Sequence, residues 1–146
     1  MDYRELNEVR IIKKQFDREC RRLEDLRALA QPSTPPLDGM PHGSSSPLSS
    51  KVETVAMLIV ESEQTVVRLS EDMESAKYRV LVALQSMPMK ELSQRVLSYH
   101  YVGCKSFKEI AKILHYSNWY VVDLHDAGIK ALGLDVRTMI QFKKTL

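Results

Sequence analysis

Residues 106–132 read SFKEIAKILHYSNWYVVDLHDAGIKAL, and the spacing within them decides the fold. Ser106 and Glu109 stand three apart, as in a capping box, where the hydroxyl takes a first-turn N–H and the carboxylate reaches back. Phe107, Ile110, Ala111 and Leu114 then recur at helical spacing and give one apolar face. His115 and Tyr116 break that pattern, and Ser117 suits the cap of a second helix. In the second helix Val121, Leu124, Gly128, Ile129 and Leu132 return to one side. A helix of about two turns, a three-residue break and a longer amphipathic helix is helix-turn-helix spacing. Ala111 agrees with it, because helices that cross so closely leave room for a small side chain only. An ordinary helical hairpin in a bundle has the same periodicity and stays open at this point.

Working outward, Pro88 suits the first turn of a supporting helix that runs through Leu92, Val96, Leu97 and Tyr101 to Gly103. Gly133 can end the second helix of the pair, and Asp135 can cap a short last one with Val136, Met139, Ile140 and Phe142 on its apolar side. Residues 88–146 are therefore expected to be one helical domain. Upstream, Ser50 with Glu53 has capping-box spacing and is expected to open a long helix over 51–87. Along it Val52, Val55, Ile59, Ser62, Val66, Leu69, Met73, Ala76, Val80 and Ala83 alternate by three and four, a coiled-coil seam interrupted by Ser62. Leu58, Val67, Leu81 and Leu84 form a second stripe. Residues 31–50 hold five prolines, two glycines and six serines, and read as a loop with a turn at Asp38-Gly39. Leu37 and Met40 are candidates to pin that loop onto a helix. Residues 1–30 lack Gly and Pro and place Leu6, Val9, Ile12, Phe16, Leu23 and Leu26 on one stripe, an amphipathic helix ending before Pro32. The expectation is an all-α chain: a coiled-coil-like hairpin of two long helices, followed by the helix-turn-helix domain.

The formal charge is only +2, but it is unevenly placed. Residues 88–146 carry nine Lys and Arg against five Asp and Glu, whereas residues 51–87 carry four against six. That positive excess is a mild electrostatic argument for nucleic acid. Lys13-Lys14 and Arg21-Arg22 are interleaved with acids and read as a solvated face. Cys20 and Cys104 show no pairing or metal spacing, so reduced thiols are expected. The N-terminus is charged from Asp2 onward, without a signal-peptide pattern. The apolar run Val55–Val60 is far too short to span a bilayer. A soluble, cytoplasmic protein without membrane contact is expected.

Signatures of catalysis are missing: there is no phosphate loop, nucleophile elbow or metal-protease pair. An enzyme is not expected, nor a cofactor. His100 with Cys104, and His115 with His125, put too few ligands on one face for zinc, and no metal is expected. His115 is better explained by the turn, because His tolerates positive φ better than most residues. Glu61, Glu63, Glu71, Asp72 and Glu74 have no histidine among them and belong to the wet side of the long helix.

RVLSYHYVGCKSFKEIAKILHYSNWYVVDLHDAGIKAL resembles region four of bacterial sigma factors. It is more closely similar to small phage and prophage transcription regulators of Gram-positive bacteria, of the autolysin-regulator and integrase-activator types. The residues that carry the likeness are Leu97 and Tyr101, the run Phe107 to Ala111, Leu114 to Ser117, Val121, Leu124 and His125. The leading helix, the loop Leu37-Asp38-Gly39-Met40-Pro41 and the long second helix look like one branch of the same proteins. The resemblance implies a sigma-region-four-like helix-turn-helix that binds promoters in the bacterial host cell. Such relatives usually carry basic residues at the positions of Asn118, Trp119 and Asp123, and this chain does not. Gly128 also stands where a better helix former is expected, at a cost of about 1 kcal/mol.

On that reading Ser117, Asn118, Trp119, Tyr120, Val122 and Asp123 meet base edges of double-stranded DNA. Asn118 can read adenine through its amide, and Val122 can touch a thymine methyl. Lys105, Lys108, Lys112, Lys130, Arg137, Lys143 and Lys144 would hold phosphates. Apolar surface on the 51–87 helix beyond what the first helix covers implies a homo-oligomer, a dimer or larger. The competing reading is an interaction protein whose helix-turn-helix docks on RNA polymerase or another phage factor.

Overall fold

A computed structural model describes residues 1–31 and 47–135, and every regular element in them is helical. The helices are α1 (Tyr3–Ala30), α2 (Pro47–Ser86), α3 (Glu91–Leu97), α4 (Phe107–Leu114) and α5 (Asn118–Ala131). The all-α expectation therefore holds. The expected loop from Leu37 to Pro41 and the expected last helix after Asp135 lie outside the described residues.

Three boundaries differ from those read in the sequence. The long helix starts at Pro47, so Ser50 lies inside its first turns, where its carbonyl accepts from Thr54 Oγ1 at 2.8 Å. The expected Ser50–Glu53 cap at the helix start is thereby displaced, because proline, pre-set for helical φ, is tolerated in a first turn. Pro88 lies in the connection after Ser86 rather than in a helix, and α3 begins at Glu91 with Lys90 as its cap. The expected single helix to Gly103 changes pitch: after Leu97 it continues as a π-helical turn, Ser98–Val102. That turn closes when the Gly103 N–H donates to the Ser98 carbonyl at 3.0 Å. A Cβ on Gly103 would stand 2.8 Å from the Tyr99 carbonyl oxygen, so the tightened exit needs glycine.

The described chain divides into two compact units. One comprises Met1–Lys13 together with the residues from Asp72 onward; the other is Lys14–Glu71. In the first, Leu6 and Val9 of α1 join Ala76, Val80 and Leu84 of α2 in one apolar cluster. Leu97, Tyr101, Ile129 and Leu132 complete it. A second cluster, Val96, Ile110, Ala111, Val121 and Leu124, lies among α3, α4 and α5. Arg79 of α2 reaches Glu8 of α1 at 2.7 Å, an exposed pair of small energetic worth. In the second unit Leu23, Leu26 and Leu69 are buried, and so is Ser62, whose hydroxyl donates to Glu19 at 2.7 Å. The polar interruption in the seam thus has a partner on α1. Arg27 and Glu63 add an exposed pair at 2.8 Å. Of the expected seam, Val52 is exposed, and of the second stripe Val67 is exposed while Leu84 is fully buried.

The first helix also carries a cap: Asp2 and Glu5 exchange side-chain-to-backbone bonds, both 2.7 Å, at the start of α1.

Candidate functional site

The capping box expected at Ser106 and Glu109 is present at the start of α4. The Ser106 hydroxyl accepts from the Glu109 N–H at 3.3 Å, and Glu109 Oε2 accepts from the Ser106 N–H and hydroxyl at 2.7 Å each. Those bonds, the backbone one first, hold the Glu109 carboxyl below the usual carboxylate range, with Lys105 and Lys112 adding to the effect. At the other end of α4, His115 adopts φ 58° and ψ 39°, the left-handed conformation expected of it. The Tyr116 N–H then donates to the Ala111 carbonyl at 3.0 Å. Ser117 caps α5 by accepting from the Tyr120 N–H at 3.2 Å.

The far end of α5 closes as anticipated at Gly133. With φ at 74°, it lets its own N–H reach the Lys130 carbonyl (2.9 Å) and the Leu134 N–H reach the Ile129 carbonyl (3.1 Å). This pair of bonds is a Schellman motif.

Gly128 now has a reason. A Cβ there would come within 2.8 Å of Leu97 Cδ1 and 3.4 Å of Ser93 Cβ, and both of those residues are buried. Glycine lets α3 cross close over α5, which offsets its poor helix propensity. Ala111 is likewise buried, beside Val96, Ile110, Val121 and Leu124.

These contacts fix which side of α5 faces outward. Val121, Leu124, His125, Gly128 and Ile129 are buried. Ser117, Asn118, Trp119, Tyr120 and Asp123 are exposed, with Val122 half-buried. Trp119 is 74 % exposed and so packs on nothing substantial. Tyr120 meets Tyr116 edge-on, ring centres 5.1 Å apart. All six expected base-contacting residues therefore cluster at the start of one helix. Asp123, with Tyr120, also borders an open groove of about 410 Å³ between α3 and α5, lined further by Lys90, Glu91 and Ser93.

Of the expected phosphate-binding residues, Lys108, Lys112 and Lys130 are exposed and Lys105 is half-buried. Arg137, Lys143 and Lys144 lie outside the described residues.

A polar network beneath α5 went unread in the sequence. His100 Nδ1 lies 2.8 Å from the Lys105 carbonyl, so that nitrogen donates and Nε2 is left to accept from Arg10 Nη1 at 2.5 Å. Arg10 comes from α1, ninety positions away. The buried Tyr101 hydroxyl and His125 Nε2 are 2.9 Å apart, and His125 Nδ1 is 2.9 Å from Asp126. Phe107 stacks on His100 with ring centres 4.5 Å apart and meets His125 edge-on. Burial pushes the Tyr101 hydroxyl well above the usual phenol range, so it stays protonated as a hydrogen-bond donor. The network satisfies buried polar groups. No local spacing reveals it, because its members are brought together only by the packing of α1, the π-helical turn and α5.

Among the described residues no three His, Cys, Asp or Glu side chains gather as a metal site, and no helix is long and apolar enough to cross a membrane. No family model, curated protein or solved structure matches the chain.

Proposed function

We propose that the chain is a sequence-specific, DNA-binding transcriptional regulator of phage or prophage genes, with α4 and α5 as a sigma-region-four-like helix-turn-helix. The observation that carries this reading is the exposed first turn and a half of α5. Its cap and the left-handed His115 set it apart from α4, while its opposite side is buried against α3 and α4. A recognition helix needs that arrangement, since its N-terminal residues reach base edges while the preceding helix crosses the backbone. Lys108 and Lys112 on α4, with Lys130 on α5, are exposed, which supports their contact with phosphates.

Few positive charges make binding by a single copy weak, so we propose that copies pair to occupy two half-sites. The pairing surface is the outer side of α2, where Met57, Val60 and Val67 are exposed at heptad-like spacing around Gln64.

A second reading is favoured by the aromatic character of the same surface. Trp119, Tyr116 and Tyr120 are residue types that anchor protein interfaces, and Asp123 opposes phosphate. In that reading α5 docks on RNA polymerase or another phage factor. Selection of bound fragments from a random duplex pool, with the full chain at physiological salt, separates the two. A recurrent motif, preferably two-fold symmetric, supports the regulator. Recovery of no motif, with capture of a polymerase subunit, supports the docking protein.

A further inference from the structure

We infer that Asp123 determines specificity in the proposed interface: its carboxylate selects a base edge that offers an amino donor, cytosine N4 or adenine N6, and rejects guanine. The inference rests on the reading of α5 as a major-groove helix.

Asp123 is the sixth residue of α5 and lies one helical turn after Trp119, on the same exposed strip. Two carboxylates occur near that strip, and they differ. Asp126 is held by His125 at 2.9 Å and is only partly exposed. Asp123 is exposed and has no hydrogen bond or ion pair with any described residue. A free carboxylate carried into a groove walled by phosphates is repelled unless it meets a donor. The donors on the major-groove edges are cytosine N4 and adenine N6. Guanine presents two acceptors there and thymine one, so both oppose a carboxylate.

The rest of the strip agrees. From Asn118 to Ile129 α5 has no Lys or Arg, the side chains that most often read guanine. Asn118 and Val122 suit adenine and the thymine methyl. A carboxylate among them costs general affinity and gains discrimination, the use of a repulsive element against wrong partners.

The experiment is the duplex selection run on three full-length chains: wild type, Asp123→Ala and Asp123→Asn. The substituted side chain is exposed, and matching thermal melts would establish that all three fold. The wild type is expected to yield a motif with one position restricted to cytosine or adenine. Asp123→Ala should make that position degenerate, erasing a preference of roughly 5- to 150-fold, while the other positions persist. It should also bind unselected duplex more tightly, because a charge facing phosphates is gone. Asp123→Asn should move the position towards adenine, which an amide reads through N6 and N7. An unchanged motif from Asp123→Ala overturns this inference and leaves the DNA reading standing. Absence of any motif from the wild type overturns the DNA reading, and this inference with it.

Discussion

Around residues 14–71 the two long helices are held by large apolar side chains, whereas α3, α4 and α5 approach one another through small ones. Leu23, Leu26 and Leu69 are buried in the first region, with one polar tie, Ser62 to Glu19, among them. In the second, Gly128 lies against Leu97 and Ser93 of α3, and Ala111 is buried among Val96, Ile110, Val121 and Leu124. A seam built by filling space is hurt by truncation. A crossing built by leaving space is hurt by addition. The two regions therefore answer opposite substitutions, and that difference can be measured.

The largest effect is expected at the seam. Leu69→Ala should cost about 2–5 kcal/mol in denaturant unfolding, from lost burial plus the cavity left behind. A cost near zero would mean that α2 is not packed along this face. A polar residue at exposed Val67, on the proposed pairing side of α2, should instead lower the mass seen by light scattering while leaving unfolding nearly unchanged.

Next in size is the crossing. Ala111→Leu should destabilise by about 1–3 kcal/mol through overpacking, whereas the same change at exposed Ala56 should be close to neutral. Equal behaviour at the two positions would erase the contrast between the regions.

A smaller effect belongs to the cap of α4. Ser106→Ala should cost about 1 kcal/mol. Its pH dependence has a defined sign. The Glu109 carboxyl is held below its ordinary value in the folded chain, so its contribution is present above the ordinary carboxylate range and is lost as pH falls through the lowered value. Acid melts of Ser106→Ala should show less of that loss than the wild type. Parallel acid profiles would remove the cap from the account.

The local signals were legible because each is written within four residues: Ser106 with Glu109, His115 at a helix end, Ser117 before α5, Gly133 after it. Periodicity likewise exposed the buried side of α5 and the stripe of α1. What spacing did not reveal depends on distant partners. Gly128 read as a blemish until Leu97 and Ser93 were seen against it. His125 stands out in the sequence only as an unsuited zinc ligand beside His115 and as part of the family likeness, yet it is buried between Tyr101 and Asp126. No residue of Ser98–Val102 announces the π-helical turn. Pro47 and Pro88 misled in opposite senses, since a proline is compatible with both a first turn and a connection.

The role proposed for the exposed start of α5 is to read base edges. Its most direct test is the affinity of wild type and Asn118→Ala for a selected duplex and for an unselected one, at a fixed salt concentration. Asn118→Ala should lose about 5- to 150-fold on the selected duplex and keep its affinity for the unselected one. Equal affinity of the two chains for the selected duplex would contradict it.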